Sequence, residues 1–265
     1  MEETEYSVRI KDLVTKYGDR TILNGINLDI RAGETMVILG GSGCGKSTLL
    51  RHLVGLSMPT SGSIVIRGQN LVELSEEQMN ELLHKVGMAF QGSALFNSMT
   101  IGENVALSLR EHTKLEESTI EIMTRIKLEL VGLSGFESFM PSQLSGGMKK
   151  RAGVARALAM DPEILLFDEP SAGLDPVVAA GLDHLILKLK EAFRMTIIVV
   201  THELPSAFLI ADRITMLDKG KVLFVGTPEE IRQSNIERVR QFLDRIPESN
   251  NTNEDAYLER LIGRI

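Results

Sequence analysis

The chain has 265 residues, a formal net charge of −7 and 43% hydrophobic residues, a composition typical of a folded globular protein. No apolar run approaches the ~20 residues needed to span a bilayer, and the single cysteine, Cys44, excludes an internal disulfide and a cysteine-based zinc site. The acidic balance argues against a broad nucleic-acid-binding face, so we expect no nucleic acid partner. From the acidic residues 1–5 we expect no signal or transit peptide.

Alternating apolar and polar residues predict antiparallel strands in the first part of the chain. The alternation runs through residues 6–33 and returns at residues 63–68. A period of two puts the apolar side chains on one face of a sheet and leaves the other face in solvent. We therefore expect an antiparallel β subdomain here.

A glycine-rich segment matches the phosphate-binding pattern G-x-x-x-x-G-K-[ST] at every fixed position. With the residue that follows, it reads Gly40, Gly41, Ser42, Gly43, Cys44, Gly45, Lys46, Ser47 and Thr48. A predicted buried strand precedes it and a predicted helix follows it, so backbone N–H groups and a helix N-terminus converge on one anion. We expect Lys46 to reach the β- and γ-phosphates of a nucleotide and Ser47 to bind Mg²⁺. Cys44 is interpreted as a small packing residue or, alternatively, a redox switch.

Residues 93–160 are mostly helix-forming, which predicts an inserted helical subdomain packed on the sheet core. Near its end, Ser145 is the expected N-cap of a helix that opens with Gly146 and Gly147. This is a second helix N-terminus suited to an anion. A dimer could place each nucleotide between the loop of one copy and the Ser145 turn of the other. We interpret the cationic run 149–151 as solvated or packing residues.

Three later apolar runs, at residues 86–90, 164–167 and 196–200, read as buried parallel strands separated by helices, which predicts an α/β sheet. The second run ends in Asp168 and Glu169. Buried charge at a strand end is costly unless it is paired, so we expect Asp168 to hold Mg²⁺ and Glu169 to orient or deprotonate a water. Residues 214–217 and 222–225 predict a hairpin.

These motifs, in this order and over nearly all of residues 6–245, resemble those of the ATP-binding cassette ATPases. Residues 144–148 are similar to that family's LSGGQ signature, with Met148 where glutamine is usual. The resemblance implies a P-loop NTPase core at residues 6–92 and 161–245, the helical subdomain at 93–160 and a C-terminal tail at 246–265. It also implies ATP hydrolysis with Mg²⁺.

The same resemblance implies further roles in the site. Tyr17 resembles the aromatic residue that stacks on adenine, and Gln91 the glutamine that touches Mg²⁺ and senses a membrane partner. Residues 172–175 resemble a loop that crosses between subunits. His202 resembles the switch histidine that contacts the γ-phosphate.

Residues 111–115, 127–133, 140–143 and 239–244 further resemble the MlaF-like branch, which drives phospholipid traffic between inner and outer bacterial membranes. That likeness implies a homodimer on the cytoplasmic face of the inner membrane, attached through a membrane permease. It also implies MCE-domain lipid-binding and STAS-domain partners, and a tail, residues 257–262, that reaches the other copy. The alternatives are the ATPase of an amino acid or metal importer, and a soluble cassette ATPase acting in DNA repair, translation or iron–sulfur assembly.

Overall fold

The structure is a computed structural model that describes residues 5–246. Its strands are β1 (Tyr6–Tyr17), β2 (Arg20–Arg31), β3 (Thr35–Gly40), β4 (Ser61–Ile66), β5 (Gln69–Asn70), β6 (Val86–Ala89), β7 (Ile164–Asp168), β8 (Thr196–Thr201), β9 (Arg213–Asp218) and β10 (Lys221–Gly226). Its α-helices are α1 (Lys46–Leu53), α2 (Glu76–Leu83), α3 (Ile101–His112), α4 (Glu117–Leu130), α5 (Gly146–Ala157), α6 (Pro176–Phe193), α7 (Leu204–Ile210), α8 (Pro228–Arg232) and α9 (Glu237–Leu243). The predicted tail at residues 257–262 lies outside the described residues.

The strands form two sheets. The smaller has the order β2-β1-β4-β5 and is antiparallel. The larger has the order β10-β9-β3-β8-β7-β6 and is parallel except for β10, which forms a hairpin with β9. The expected antiparallel subdomain, parallel α/β sheet and hairpin are therefore confirmed.

The larger sheet is buried on both faces, which explains why its strands read as continuous apolar runs rather than alternating ones. In β3, Val37 and Leu39 pack into a core with helices α3 to α7, whereas Met36 and Ile38 pack into a second core. That second core also contains α1 and the inner face of the smaller sheet. The carboxyl ends of β3, β7 and β8 thus meet at one edge of the sheet, which is where ligands bind in open α/β folds.

Helices α3, α4 and α5 pack against one another, and α5 also packs on β6 and α6. The start of α3 is set by a capping box in which Thr100 and Glu103 bond each other's backbone N–H groups. Helix α5 therefore joins the helical region to the sheet. The boundaries assigned to the subdomains stay a prediction. None of the helices within residues 5–246 has the length and hydrophobicity that a membrane span requires.

Candidate active site

A cavity of about 670 Å³ opens at the carboxyl ends of the parallel strands. The sequence-predicted residues that line it are Gly41, Ser42, Gly43, Lys46, Ser47, Gln91, Glu169 and His202. The remaining wall comes from the C-terminal part of the chain, namely Leu204, Arg238, Gln241, Phe242, Arg245 and Ile246. The fold thus brings four separate segments of the sequence together in one cavity: the phosphate-binding loop, Gln91, Glu169 and His202.

The phosphate-binding loop has a backbone that requires glycine. Gly45, the N-cap of α1, has φ 110°, and a Cβ there would lie 2.5 Å from Leu23 Cδ2. At Gly40 a Cβ would lie 2.4 Å from the carbonyl oxygen of Leu217 and 2.5 Å from Cys44 Sγ. These two glycines and Cys44 shape the loop from behind, and Thr48 lies in the first turn of α1. Burial raises the pKa of the Cys44 thiol, which disfavours the reactive thiolate.

Lys46 is held at the mouth of the loop. Its buried Nζ donates hydrogen bonds to the carbonyl oxygens of Gly40, at 2.8 Å, and Gly41, at 3.1 Å. It also lies 3.9 Å from Glu169 Oε1. One ammonium therefore stands between the loop and the carboxylate at the end of β7, where it can meet an anion bound in the loop.

Glu169 and His202 contact each other directly. Glu169 Oε2 lies 2.9 Å from His202 Nδ1 and accepts a hydrogen bond of 3.3 Å from the backbone N–H of His202. The two residues follow β7 and β8, which are paired in parallel, so a separation of 33 residues along the chain closes to one contact. Glu169 has φ 46°, a left-handed conformation that is strained for a residue with a side chain and typical of functional sites.

Asp168 is the candidate metal ligand. Its buried Oδ1 accepts no hydrogen bond from any group in the described part of the chain. Burial raises the pKa of this carboxyl, and the neighbouring charge of Glu169 raises it further, whereas Lys46, Arg51 and Lys150 oppose the shift. Asp168 is not itself part of the cavity lining but directly precedes Glu169, which is, and the lining also includes Ser47 and Gln91. A carboxylate, a serine hydroxyl and an amide oxygen are the hard oxygen donors that Mg²⁺ prefers. These residues fit that ion.

The Ser145 turn lies apart from the cavity. Ser145 Oγ accepts a hydrogen bond of 3.3 Å from the Met148 N–H, which confirms it as the N-cap of α5. Ser145 and Gly146 are exposed, and a Cβ on Gly147 would lie 2.4 Å from Val178 Cγ1. None of the three lines the cavity of its own chain.

Tyr17 also lies outside the cavity lining. It ends β1 opposite Arg20 and is 50% exposed, so its ring is available for contact at the surface. Its stacking role stays a prediction.

Two features of the site escape sequence reasoning. The ammonium of Lys150, in α5, donates to the backbone carbonyls of Gln91 and Glu169. Burial lowers the pKa of Lys150, and the carboxylates of Asp168 and Glu169 oppose that shift. The second feature is the C-terminal wall, where no motif marks α9. Lys150 has no sequence signal of its own either, because it reads as one member of the cationic run 149–151.

The family model described as "ABC transporter" matches residues 23–172, which is more than half of the 265 residues. The chain belongs to the ABC transporter family. It is therefore an ABC ATPase, as its motifs and the order of its strands indicate. The resemblance stated from the sequence and the expected fold class are both confirmed.

Several curated relatives of this ABC ATPase match most of its length. It is 43% identical over 236 residues to "Intermembrane phospholipid transport system ATP-binding protein MlaF" of Haemophilus influenzae, covering 89% of each chain. The protein of the same name in Escherichia coli K12 is 39% identical over 90% of this chain and 89% of its own. "Probable ribonucleotide transport ATP-binding protein mkl" of Mycobacterium leprae is 44% identical over 90% of this chain and 69% of its own.

Solved structures of ABC cassettes share the fold. The ATP-binding cassette MJ0796, in a dimeric post-hydrolysis state bound to ADP and Pi, superposes with a TM-score of 0.77 at 32% identity, over 83% of this chain and 98% of that one. The protein cbiO1 of Clostridium perfringens, part of the ABC transporter complex cbiONQ, superposes with a TM-score of 0.79 at 31% identity, over 91% of this chain and all of that one.

Proposed function

We propose that this chain is the ATP-hydrolysing subunit of a transporter that moves phospholipid between the inner and outer membranes of a bacterium. The observation that carries the proposal is the match to the phospholipid-transport protein MlaF of Haemophilus influenzae, which spans 89% of both chains at 43% identity. The match to the Escherichia coli protein of that name is of similar extent.

One alternative substrate has a specific observation behind it. The Mycobacterium leprae relative named for ribonucleotide transport is 44% identical to this chain, although the chain spans only 69% of that protein. The ATPase machinery is the same in either case, because the substrate is selected by other subunits of such a transporter. The two candidates therefore differ in the partner and not in the site.

Nucleotide binding is assigned to the loop at residues 40–48. Its backbone N–H groups and the N-terminus of α1 surround the phosphates, and Lys46 exchanges its two carbonyl contacts for the β- and γ-phosphates. Tyr17 stacks on the adenine ring. The relative MJ0796, whose solved structure holds ADP and Pi, supports the use of a nucleotide here.

Mg²⁺ is assigned to Ser47, Gln91 and Asp168, all of which offer oxygen donors at this edge of the sheet. When bound, the ion neutralises negative charge on the phosphates and fixes their orientation. The unsatisfied Oδ1 of Asp168 supports this assignment, because a buried carboxylate oxygen without a partner is costly. Mg²⁺ otherwise keeps waters and phosphate oxygens as ligands, so one protein carboxylate suffices.

Hydrolysis is assigned to Glu169 and His202. Glu169 accepts the proton of the attacking water or orients it, and His202 holds both that carboxylate and the γ-phosphate in place. Phosphoryl transfer offers little covalent chemistry for the protein to perform, so the fixed positions of these groups and of Lys46 supply the rate.

A second copy of the chain completes each site. The turn formed by Ser145, Gly146 and Gly147, of which the first two are exposed and the third is partly buried, is proposed to contact the γ-phosphate held by the other copy, since it lies outside the cavity of its own chain. The loop at residues 172–175 lies at the start of α6, beside Val177, which is 81% exposed, and it is proposed to cross the seam. Two solved structures of one relative, MJ0796, are both described as dimeric and support this arrangement. Hydrolysis then weakens the shared contacts and the pair opens.

The transporter partner is proposed to be a membrane permease that attaches the chain to the cytoplasmic face of the inner membrane. A groove directly beside Gln91 is lined by Phe90, Phe96 and Met160, and Phe96 is half exposed. A permease helix in that groove would sense the state of Gln91. MCE-domain lipid-binding and STAS-domain proteins are the further proposed partners.

The test isolates the complex from detergent-solubilised membranes through a tag on this chain and measures ATP hydrolysis. We expect a permease to co-purify and phospholipid vesicles to stimulate hydrolysis, whereas ribonucleoside monophosphates do not. Stimulation by ribonucleotides alone would favour the alternative substrate, and a soluble scaffold protein in place of a permease would refute transport. The Lys46→Ala variant serves as the control, because it should lose nucleotide binding.

A further inference from the structure

One side chain joins three parts of the candidate active site. The Nζ of Lys150 donates hydrogen bonds to the carbonyl oxygen of Gln91, after β6, and to that of Glu169, after β7, at 3.3 Å in the second case. Strands β6 and β7 are parallel neighbours, so the two carbonyls stand side by side at the carboxyl edge of the sheet. Lys150 reaches both from the second turn of α5, the helix that Ser145 caps.

The environment of Lys150 differs from that of a solvated surface lysine. It lies in the second turn of α5, between two further cations, Lys149 and Arg151. The positive charge of Arg151 is stabilised by hydrogen bonds that its guanidinium donates to the carbonyl oxygens of Val131 and Gly181. Lys150 is half-buried. The two carbonyl oxygens that accept its hydrogen bonds, and the negative charges of Asp168 and Glu169, stabilise its ammonium.

The backbone that Lys150 contacts is strained. Glu169 has φ 46°, and a conformation of this kind persists only where surrounding contacts hold it. Its N–H donates to the carbonyl of Val200 at 2.9 Å, and its carbonyl accepts from the N–H of Ala172 at 3.2 Å and from Lys150. Of these three hydrogen bonds to the main chain of Glu169, the one from Lys150 comes from a side chain, and it connects Glu169 to α5.

We propose that Lys150 is a positioning residue for ATP hydrolysis, which holds the main chain of Gln91 and of Glu169 to the helix that opens at Ser145. This inference rests on the proposed roles of those three residues. Through Lys150 a displacement of Gln91 changes the position of the base and the orientation of the Ser145 turn together. The sensing segment, the base and the surface offered to the second copy therefore move as one unit.

The proposal predicts a specific kinetic signature. Lys150 does not line the cavity, and its hydrogen bonds go to Gln91 and Glu169 rather than to the phosphate-binding loop, so we expect its removal to affect ATP binding far less than turnover. In the Lys150→Met variant we expect kcat to fall about tenfold or more while KM for ATP stays within about threefold, the pattern of an interaction that acts in the chemical step. Lys150→Arg keeps a cationic donor of similar length and should restore most of kcat.

The matched control is Lys149→Met, which removes the same charge one residue earlier, about 100° away around the helix, and should keep wild-type kcat and KM. All variants are measured in the complex purified from membranes, with thermal unfolding to confirm that each is folded. A folded Lys150→Met variant with wild-type kcat, an equal loss in Lys149→Met, or no recovery in Lys150→Arg would overturn the role of Lys150. Wild-type turnover that survives Glu169→Gln would instead overturn the proposed site itself.

Discussion

Replacement of Glu169 by glutamine tests the chemical core of the proposed site. The substitution keeps the shape of the side chain and an oxygen that can accept the 3.3 Å hydrogen bond from the His202 N–H, but it removes the proton acceptor. General-base catalysis is worth about 10² to 10⁴ in rate, or roughly 3 to 5 kcal/mol at the transition state. We therefore expect kcat to fall by that factor.

Binding of ATP should respond in the opposite direction. The variant removes a negative charge beside the triphosphate site, and Lys46 keeps its bonds of 2.8 and 3.1 Å to the loop carbonyls. Affinity for ATP should therefore be equal to or tighter than that of the wild type, and an ATP-dependent dimer should accumulate. Phosphate release in a single turnover measures the first effect, while a fluorescent ATP analogue and size-exclusion chromatography measure the others.

The control is Glu203→Gln, because Glu203 Oε1 lies 3.6 Å from the other ring nitrogen of His202. It removes a charge of the same sign next to the same imidazole and should leave turnover near the wild-type rate. The reasoning is refuted if Glu169→Gln hydrolyses ATP within about fivefold of the wild type, well short of a general-base effect, or if Glu203→Gln loses as much.

Three further predictions follow from other contacts. Gly45→Ala should lower the free energy of unfolding by about 1 to 3 kcal/mol and weaken ATP binding, because φ 110° and the approach to Leu23 exclude a Cβ. Gly41→Ala is the control, because a Cβ there meets open space. Denaturant titration of both variants measures the difference in stability. Asp161→Asn, which keeps a residue type that tolerates the φ of 50° at this position, should lower the free energy of unfolding by about 0.5 to 1 kcal/mol, because it removes the charge paired with Lys127, whose side chain is buried although Asp161 is 62% exposed; unchanged stability in denaturant titration would contradict that pairing. Chelation of Mg²⁺ by EDTA should stop hydrolysis and leave the thermal unfolding of the nucleotide-free protein unchanged, and turnover that persists in EDTA would contradict the proposed oxygen-ligand site.

Much of this protein is readable from local sequence. The sequence of residues 40–48 predicts phosphate binding, because this function requires glycines, a lysine and a hydroxyl at fixed spacing, all within one turn between a strand and a helix. The start of α5 at Ser145 is likewise predicted from local sequence, because an N-cap contact joins residues only three positions apart. The distinction between parallel and antiparallel strands was also predicted from the sequence, because burial on both faces gives a continuous apolar run and burial on one face gives an alternating pattern.

Contacts between distant segments were decided only by the tertiary structure. The bond between Glu169 and His202 depends on the pairing of β7 with β8, which no local pattern specifies. Lys150 looks in the sequence like one member of a charged run, and only the packing of α5 against β6 brings its ammonium to two carbonyls. The wall that α9 adds to the cavity has no motif, because it is made of ordinary side chains whose position depends on the whole sheet. Local chemistry is encoded over a few residues, whereas strand order and helix packing are set by the burial of apolar surface across the entire domain.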